Sequence, residues 1–412
     1  MANITKNIQF YKFSAYGFLK NLRFFDAFFI LYLNQKGLNY TEIGSLYAIR
    51  EIIINVAEVP SGLVADTYGR KAALAFSLFV YIISFAVFYF SNDYWLFLIA
   101  FVFYGFGDAF RSGTHKGMIM EYLKLNNWKN LKIKYYGRTR SWSQMGSAIS
   151  SLIAGFIVFK SGSYDNIFLY SIIPYIINFF LILSYPTKLN FSENHEKVEP
   201  KNLINTYKSF FRMAKNPTVL RIINTSALHS AYLKAIKDYI QPLLVNLAAV
   251  TPVLMSIEKD KKNGVIIGII YFIIFLLTSR ASAISSIFDD KYKSKLPYLT
   301  LIIGFALGTI TGFFYLEEIW PIAVVAFIGI YIIENIRKPV LTGYISDNTP
   351  NDILTSVLSA QSLLKTIMTA IIAFGFGLVA DRFNLGTALL SISLLLTLGT
   401  FIILLIEKKR KA

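Results

Sequence analysis

The sequence predicts an all-α membrane protein: twelve transmembrane helices arranged as two six-helix bundles. Three observations carry that prediction. Hydrophobic residues make up 55% of the 412-residue chain and charged residues 16%, with a mean hydropathy of +0.51, far from the balance of a soluble domain. Apolar segments of about 20 residues, the length a helix needs to cross a hydrocarbon core, recur twelve times along the chain. The longest polar interruption, residues 188–215, divides the chain into an N-terminal half, 1–187, and a C-terminal half, 216–412.

Span one covers 12–34 and carries Arg23 and Asp26; span two, 41–65, carries Glu51, Asn55 and Glu58. Span three is 72–91, span four 94–118 with Asp108 and Arg111, span five 139–160 and span six 164–185. After the polar interruption, span seven (216–248) holds Lys234, Lys237 and Asp238, and span eight (263–287) holds Arg280. Spans nine to twelve cover 296–315, 320–346, 352–380 and 386–406, with Glu334 in span ten and Lys365 in span eleven. Aromatic residues gather near span ends, as in "SNDYWLF" and "EEIWPIA", where the headgroup region suits them. The opening "MANITKNIQFYKF" has no short apolar core followed by a small-residue cleavage site, so span one is expected to be retained.

Net charge is +17, and its distribution decides what it means. Loops on the side of the N-terminus hold 23 of the 41 Lys and Arg, against six on the other side, counting Lys160 at the end of its span. Basic residues collect on the cytoplasmic side of membrane proteins, so both termini are expected to be cytoplasmic, in a bacterial inner membrane. The charge follows topology and no nucleic-acid motif accompanies it, so nucleic acid is not an expected partner. Within the central linker, Leu203, Tyr207, Phe210, Phe211 and Ala214 recur at helical spacing beside Lys201, Lys208, Arg212 and Lys215, the pattern of an amphipathic helix lying on the membrane.

"AGFIVFKSGSYDNIFLYSI" after span five and "GFGLVADRFNLGTALLSIS" after span eleven share a small-residue helix end, a polar turn and an apolar restart, which hints at internal duplication. Between spans two and three the chain reads "SGLVADTYGRKAAL". This stretch resembles the G-x-L-A-D-x-x-G-R-K signature of the major facilitator superfamily, with Gly62, Asp66, Gly69, Arg70 and Lys71 at the matching positions; Gly62 there lets two helix backbones approach closely, and Gly69 permits a tight turn. The twelve spans and central loop extend the resemblance over the whole chain. It implies two bundles rocking about a central site, with Asp66 acting as a conformational latch at the positive N-terminus of a helix in the other half. The signature is most like that of drug-efflux members. Two departures count against proton-antiport efflux: "FVFYGFGDAFRSG" has Phe101 where exporters carry arginine, and "SWSQMGSAISSLIAG" lacks a glycine-proline element.

Charges inside a bilayer cost at least about 2.5–3.5 kcal/mol each on insertion scales, so each needs a partner, a wet cavity or a function. Candidate substrate or coupling residues are therefore Arg23, Asp26, Glu51, Asn55, Asp108, Arg111, Lys234, Lys237, Arg280, Glu334 and Lys365. Glu51, Asn55 and Glu58 share one helical face, which is expected to point at a cavity. Asp108 and Arg111 stand three apart and can neutralise each other. Twelve bases lie within the spans, while the acids set away from span ends are Asp26, Glu51, Glu58, Asp108, Asp238 and Glu334. The excess predicts a partly cationic cavity for an anionic or zwitterionic solute, with Glu51 or Asp26 able to carry protons.

Enzymatic chemistry has no support. His115, His195 and His229 lack metal-ligand spacing, and cysteine is absent. No phosphate-binding loop is present, and "GFGLVA" at 375–380 lies in an apolar helix with no preceding strand. Gly304, Gly308 and Gly312 form a small-residue stripe suited to close helix packing. The expectation is a monomeric secondary transporter without cofactor or metal, working by alternating access, its partners a small-molecule substrate, protons and the lipid bilayer. Proton-coupled efflux of an amphipathic or anionic compound leads. The alternatives are an uptake symporter for a small anionic or zwitterionic metabolite, or a non-transporting receptor on the same fold.

Overall fold

The computed structural model describes residues 6–128, 131–190, 217–252, 256–285, 296–348 and 351–411. The expected amphipathic helix of the linker lies outside them. The described residues are helical throughout: α1 (Ile8–Leu19), α2 (Phe29–Gln35), α3 (Tyr40–Thr67), α4 (Arg70–Phe90), α5 (Tyr94–Arg111), α6 (Thr114–Leu125), α7 (Lys132–Ser161) and α8 (Asn166–Leu183) precede the linker. After it come α9 (Pro217–Ile236), α10 (Ile240–Val250), α11 (Lys259–Ala283), α12 (Leu296–Leu316), α13 (Trp320–Asn348), α14 (Asn351–Arg382) and α15 (Leu385–Lys411).

Among the described residues, eight helical stretches are long and apolar enough to cross a membrane, and they correspond to spans three to six and eight to eleven. Three of the other four spans depart from that standard for physical reasons. Span two, within α3, carries Glu42, Arg50, Glu51 and Glu58. In span twelve the apolar stretch Leu385–Phe401 runs to the end of the described side chains. Spans one and seven, the first of each half, are each interrupted in mid-course.

The interruption of span one starts where α1 ends at Leu19. Asn21 Nδ2 donates to the Gly17 carbonyl (2.7 Å), a side chain competing with the helix ladder. The backbone N–H of Phe24 then donates to Ser171 Oγ (3.0 Å) and the Lys20 carbonyl accepts from Tyr175 OH (2.9 Å), both from α8. Backbone groups freed inside a bilayer need such partners. A 3-10 helix over Phe24–Ala27 restarts the span. In span seven the break is a 3-10 helix over Lys237–Tyr239. Pro242, two residues into α10, cannot donate to the carbonyl of Asp238 and crowds it. Here Tyr331 OH from α13 donates to the Lys237 carbonyl (2.6 Å).

The chain divides into two compact units: unit 1 comprises 1–32, 52–201 and 256–275, and unit 2 comprises 33–51, 202–255 and 276–412. Unit 1 thus takes the first part of span eight, and unit 2 the first part of span two. Within unit 1, α4 packs against α5 and α8, and α1 against α7. Within unit 2, α12 packs against α13 and α15, and α9 against α14. These are the same pairings six spans later: three with four and six, one with five. The recurrence supports the internal duplication that the helix ends hinted at. Gly304, Gly308 and Gly312 act as read: Cβ atoms there would strike His229, then Tyr232 and Ser393, then the Leu390 and Gly386 backbone.

Candidate functional site

In unit 1 the charges settle around the interruption of span one and the end of α5. Arg23 pairs with Asp26 (3.0 Å) and donates to Tyr104 OH (2.5 Å). Asp108 Oδ1 accepts from Arg111 (2.8 Å) and from Tyr81 OH (2.5 Å), whose oxygen also accepts from Arg111 Nε (3.1 Å). The neutralisation of Asp108 by Arg111 expected from their spacing is therefore made. Beside them lies a cavity of about 380 Å³, lined by α1, α6 and α7. Its charged side chains are Lys20 and Arg140, with Asn21, Thr139, Ser143 and Gln144 among the neutral polar ones, and no acid lines it. Lys20 makes no ion pair among the described residues; its Nζ lies 5.9 Å from the Tyr16 ring centroid.

Unit 2 assembles its charges from different helices. Glu51, 0% exposed, accepts from Lys234 Nζ of α9 (2.5 Å) and meets Arg50 (3.3 Å). One turn before Glu51, Tyr47 OH donates to Asp238 (2.8 Å) at the break in span seven, where Lys237 also pairs with Asp238 (3.5 Å). The Arg50 guanidinium lies 5.0 Å from the Tyr47 ring centroid, closing the cluster. A second polar group lies along α9: Glu334 of α13, 2% exposed, is 2.8 Å from His229 Nδ1 and accepts from Ser230 Oγ (2.5 Å). Arg337, 1% exposed, is held by the carbonyls of Pro297 (2.5 Å) and Thr225 (2.6 Å) and by Thr300 Oγ1 (2.6 Å). Lys365 of α14 is half-buried and makes no ion pair among the described residues.

The model of the Major Facilitator Superfamily matches residues 21–373. The chain belongs to the major facilitator superfamily. A relative described as the uncharacterized MFS-type transporter YxaM of Bacillus subtilis (strain 168) is 24% identical over 414 residues, covering 97% of this chain and 95% of its own. The MFS-type transporter MJ1560 of Methanocaldococcus jannaschii is 25% identical over 232 residues, 55% of this chain and 57% of its own. Among solved structures, a mutant of the nucleoside transporter NupG shares 14% identity at a TM-score of 0.78, covering 96% of this chain and 99% of that one. The xylose transporter XylE from E. coli shares 12% at 0.69, covering 96% and 94%. At these identities the solved structures establish the fold alone. The protein is thus an integral membrane protein and a secondary transporter, not an enzyme.

As a member of this superfamily, the chain shows what its signature does locally. Gly69 has φ +95°, and a Cβ there would run into the Asn190 side chain. The amides of Arg70 and Lys71 donate to Asn190 (both 2.9 Å), Lys71 Nζ donates to the Tyr185 carbonyl (3.2 Å), and Arg70 lies 3.9 Å from Glu121 of α6. Asp66 is exposed and makes no hydrogen bond or ion pair with a described residue. Gly62 is also exposed, with nothing within 4 Å of an added Cβ, so the close backbone approach expected there is not made in this structure.

The remaining candidates separate. Along the shared face of α3, Glu51 is buried, Asn55 half-buried and Glu58 exposed. Arg280 is exposed on α11, without an ion pair among the described residues. Sequence reasoning overlooked the tyrosines that complete each cluster (Tyr47, Tyr81, Tyr104), and it left His229 and Lys20 unassigned. Tyrosines carry no charge signal among so many aromatics. Lys20 could have been found: it stands three residues before Arg23 with no acid within reach on its own helix.

Proposed function

We propose that the protein carries a small organic anion together with protons across the membrane by alternating access of its two halves, with Lys234 and Glu51 as the exchangeable pair. One observation carries this reading: a fully buried carboxylate held by a lysine from another helix, in its last turn before a break. An anionic substrate competes with Glu51 for Lys234. Once displaced, a carboxylate in so dry a place is stabilised by taking up a proton. Anion and proton then load together, which is symport, and an inward proton gradient drives uptake. The excess of cations supports the sign of the substrate: Lys20 and Arg140 line a cavity free of acids, and its roughly 380 Å³ suits a small molecule. Lys365 adds a cation with no ion-pair partner among the described residues.

Proton-coupled efflux of an amphipathic or anionic compound is the second reading, favoured by the likeness of the signature to drug-efflux members. Flux in proteoliposomes separates the two. Under symport, Glu51→Gln abolishes proton-driven accumulation of anions but keeps anion exchange, and Lys365→Ala weakens anion binding while the melting temperature stays within a few degrees. Accumulation that survives in Glu51→Gln, or counterflow of substrate against protons, rejects symport. The working form is a monomer in the bacterial plasma membrane, both termini cytoplasmic. Labelling of Ser192→Cys from outside intact cells, with Glu318→Cys protected, rejects that orientation.

A further inference from the structure

The sequence contains the pentapeptide Gly-Leu-Val-Ala-Asp twice: at 62–66, opening the signature after span two, and at 377–381, closing span eleven. The second copy is engaged. Asp381 accepts hydrogen bonds from the backbone amides of Tyr40 (2.9 Å) and Thr41 (2.6 Å), the first residues of α3. It caps that helix with a full negative charge at the positive end of its dipole. At the C-terminal end of α14 the same charge is poorly placed for its own helix, so the α3 contact is what favours a carboxylate there. The two helices come close enough for it at Gly44 of α3 and at Ala373 and Gly377, four apart on α14. A Cβ on Gly44 would strike the Ala373 carbonyl, and one on Gly377 the Tyr40 carbonyl. This contact explains why residues 33–51, from the first half of the sequence, belong to unit 2 with α14.

An odd number of spans precedes α3, and an odd number ends at Asp381. Both therefore lie on the side opposite the termini, while Asp66 lies on the side of the termini, where α14 begins.

We propose that Asp381 is a second latch, which holds the side opposite the termini closed on the N-terminus of α3. It mirrors the role that the superfamily resemblance implies for Asp66 on the other side, and the two carboxylates engage in alternation. The proposal rests on the alternating-access reading. Its bonds suit a switch: Asp381 is exposed, so both it and the amides can exchange to water, and losing one cap shifts a two-state equilibrium by about fivefold to tenfold.

The test is a distance measurement between spin labels at Gln35→Cys and Asn384→Cys, two exposed positions on that side, in this cysteine-free chain. Asp381→Ala is expected to raise the long-distance population about fivefold, with Asp381→Asn, which keeps a carbonyl acceptor, in between. Gly377→Ala, whose Cβ meets the Tyr40 carbonyl, should shift the distribution the same way without touching the carboxylate. A distribution unchanged in Asp381→Ala overturns the proposal, and so does a shift in Gly377→Ala alone, which would make the contact packing only. Asp66→Asn, measured with labels on the side of the termini, reports separately on the underlying reading. If Asp381 responds and Asp66 does not, the second latch stands and the signature latch falls.

Discussion

Unit 1 and unit 2 each break the first spanning helix of a half, yet they balance the charges near the break in opposite ways. In unit 1 the acids and bases are neighbours in sequence: Arg23 with Asp26, Arg111 with Asp108 and Lys261 with Glu258 are all three apart. Tyrosines from other helices complete them. In unit 2 the deepest pairs join distant helices: Lys234 with Glu51, and His229 with Glu334. A local pair travels with its helix and survives any rearrangement of the others. A cross-helix pair must break when its helices part, so its strength depends on the arrangement. In the proposed mechanism that difference lets the cross-helix pairs of unit 2 be coupled to movement, while Lys20 and Arg140 of unit 1 stay available to a ligand. An exception among the described residues of unit 1, Arg70 with Glu121 at 3.9 Å, sits at the signature.

The largest expected effect tests a cross-helix contact with no exchange role. Arg337 is held by carbonyls and a hydroxyl from α9 and α12, so Arg337→Leu removes three buried hydrogen bonds donated by a charged group, worth about 1.5–3 kcal/mol each. Folded protein should be largely lost from a detergent extract, as read by size-exclusion fluorescence. A well-folded Arg337→Leu would show that cross-helix bonding in unit 2 is expendable and remove the contrast between the units. Next comes Lys234→Ala, which leaves Glu51 buried with only Arg50 at 3.3 Å. Its stability cost should be about 2–3 kcal/mol, below the 3–5 of a fully abandoned buried charge. Adding Glu51→Gln should restore the melting temperature but not accumulation. If the single mutant melts normally, the pair is not the stabilising contact its burial implies.

Much of this contrast was legible in the sequence, and the part that was not has a physical cause. Spacing of three residues on a helix identifies a local pair, so Asp108 with Arg111 could be read directly. Nothing in the spacing of Glu51 and Lys234 announces their contact, because helix packing brings them together across the sequence. Apolar length revealed the spans but concealed that spans one and seven are interrupted. Their breaks depend on Ser171, Tyr175 and Tyr331 supplying bonds from elsewhere. The repeated Gly-Leu-Val-Ala-Asp was in plain view, but its second copy gains meaning only from the two amides that Asp381 caps.

A smaller effect sharpens the local side of the comparison. Asp108→Asn keeps an acceptor for Tyr81 and loses only the charge paired with a partly exposed Arg111, so the expected cost is about 1 kcal/mol or less. Thermal unfolding should move by no more than a few degrees, and transport should stay within about fivefold, the factor that a change of about 1 kcal/mol allows. A loss of transport as complete as that of Lys234→Ala would mean that local pairs are also part of the exchange, and the division between the units would fail.

The smallest effect on stability belongs to Gly62→Ala, and for that reason it separates structure from mechanism. In this arrangement an added Cβ meets nothing within 4 Å, and alanine favours a helix over glycine by about 1 kcal/mol. Melting should therefore stay the same or rise slightly. The signature implies, however, that this glycine comes close to another helix when the side of the termini closes, as Gly377 does with Tyr40 on the other side. The methyl group would then obstruct one state and leave the other untouched. Transport should fall while stability holds, and labels on the side of the termini should report fewer closed molecules. If transport is also unchanged, Gly62 makes no close approach in any working state, and the likeness between the two Gly-Leu-Val-Ala-Asp copies extends to their aspartates only.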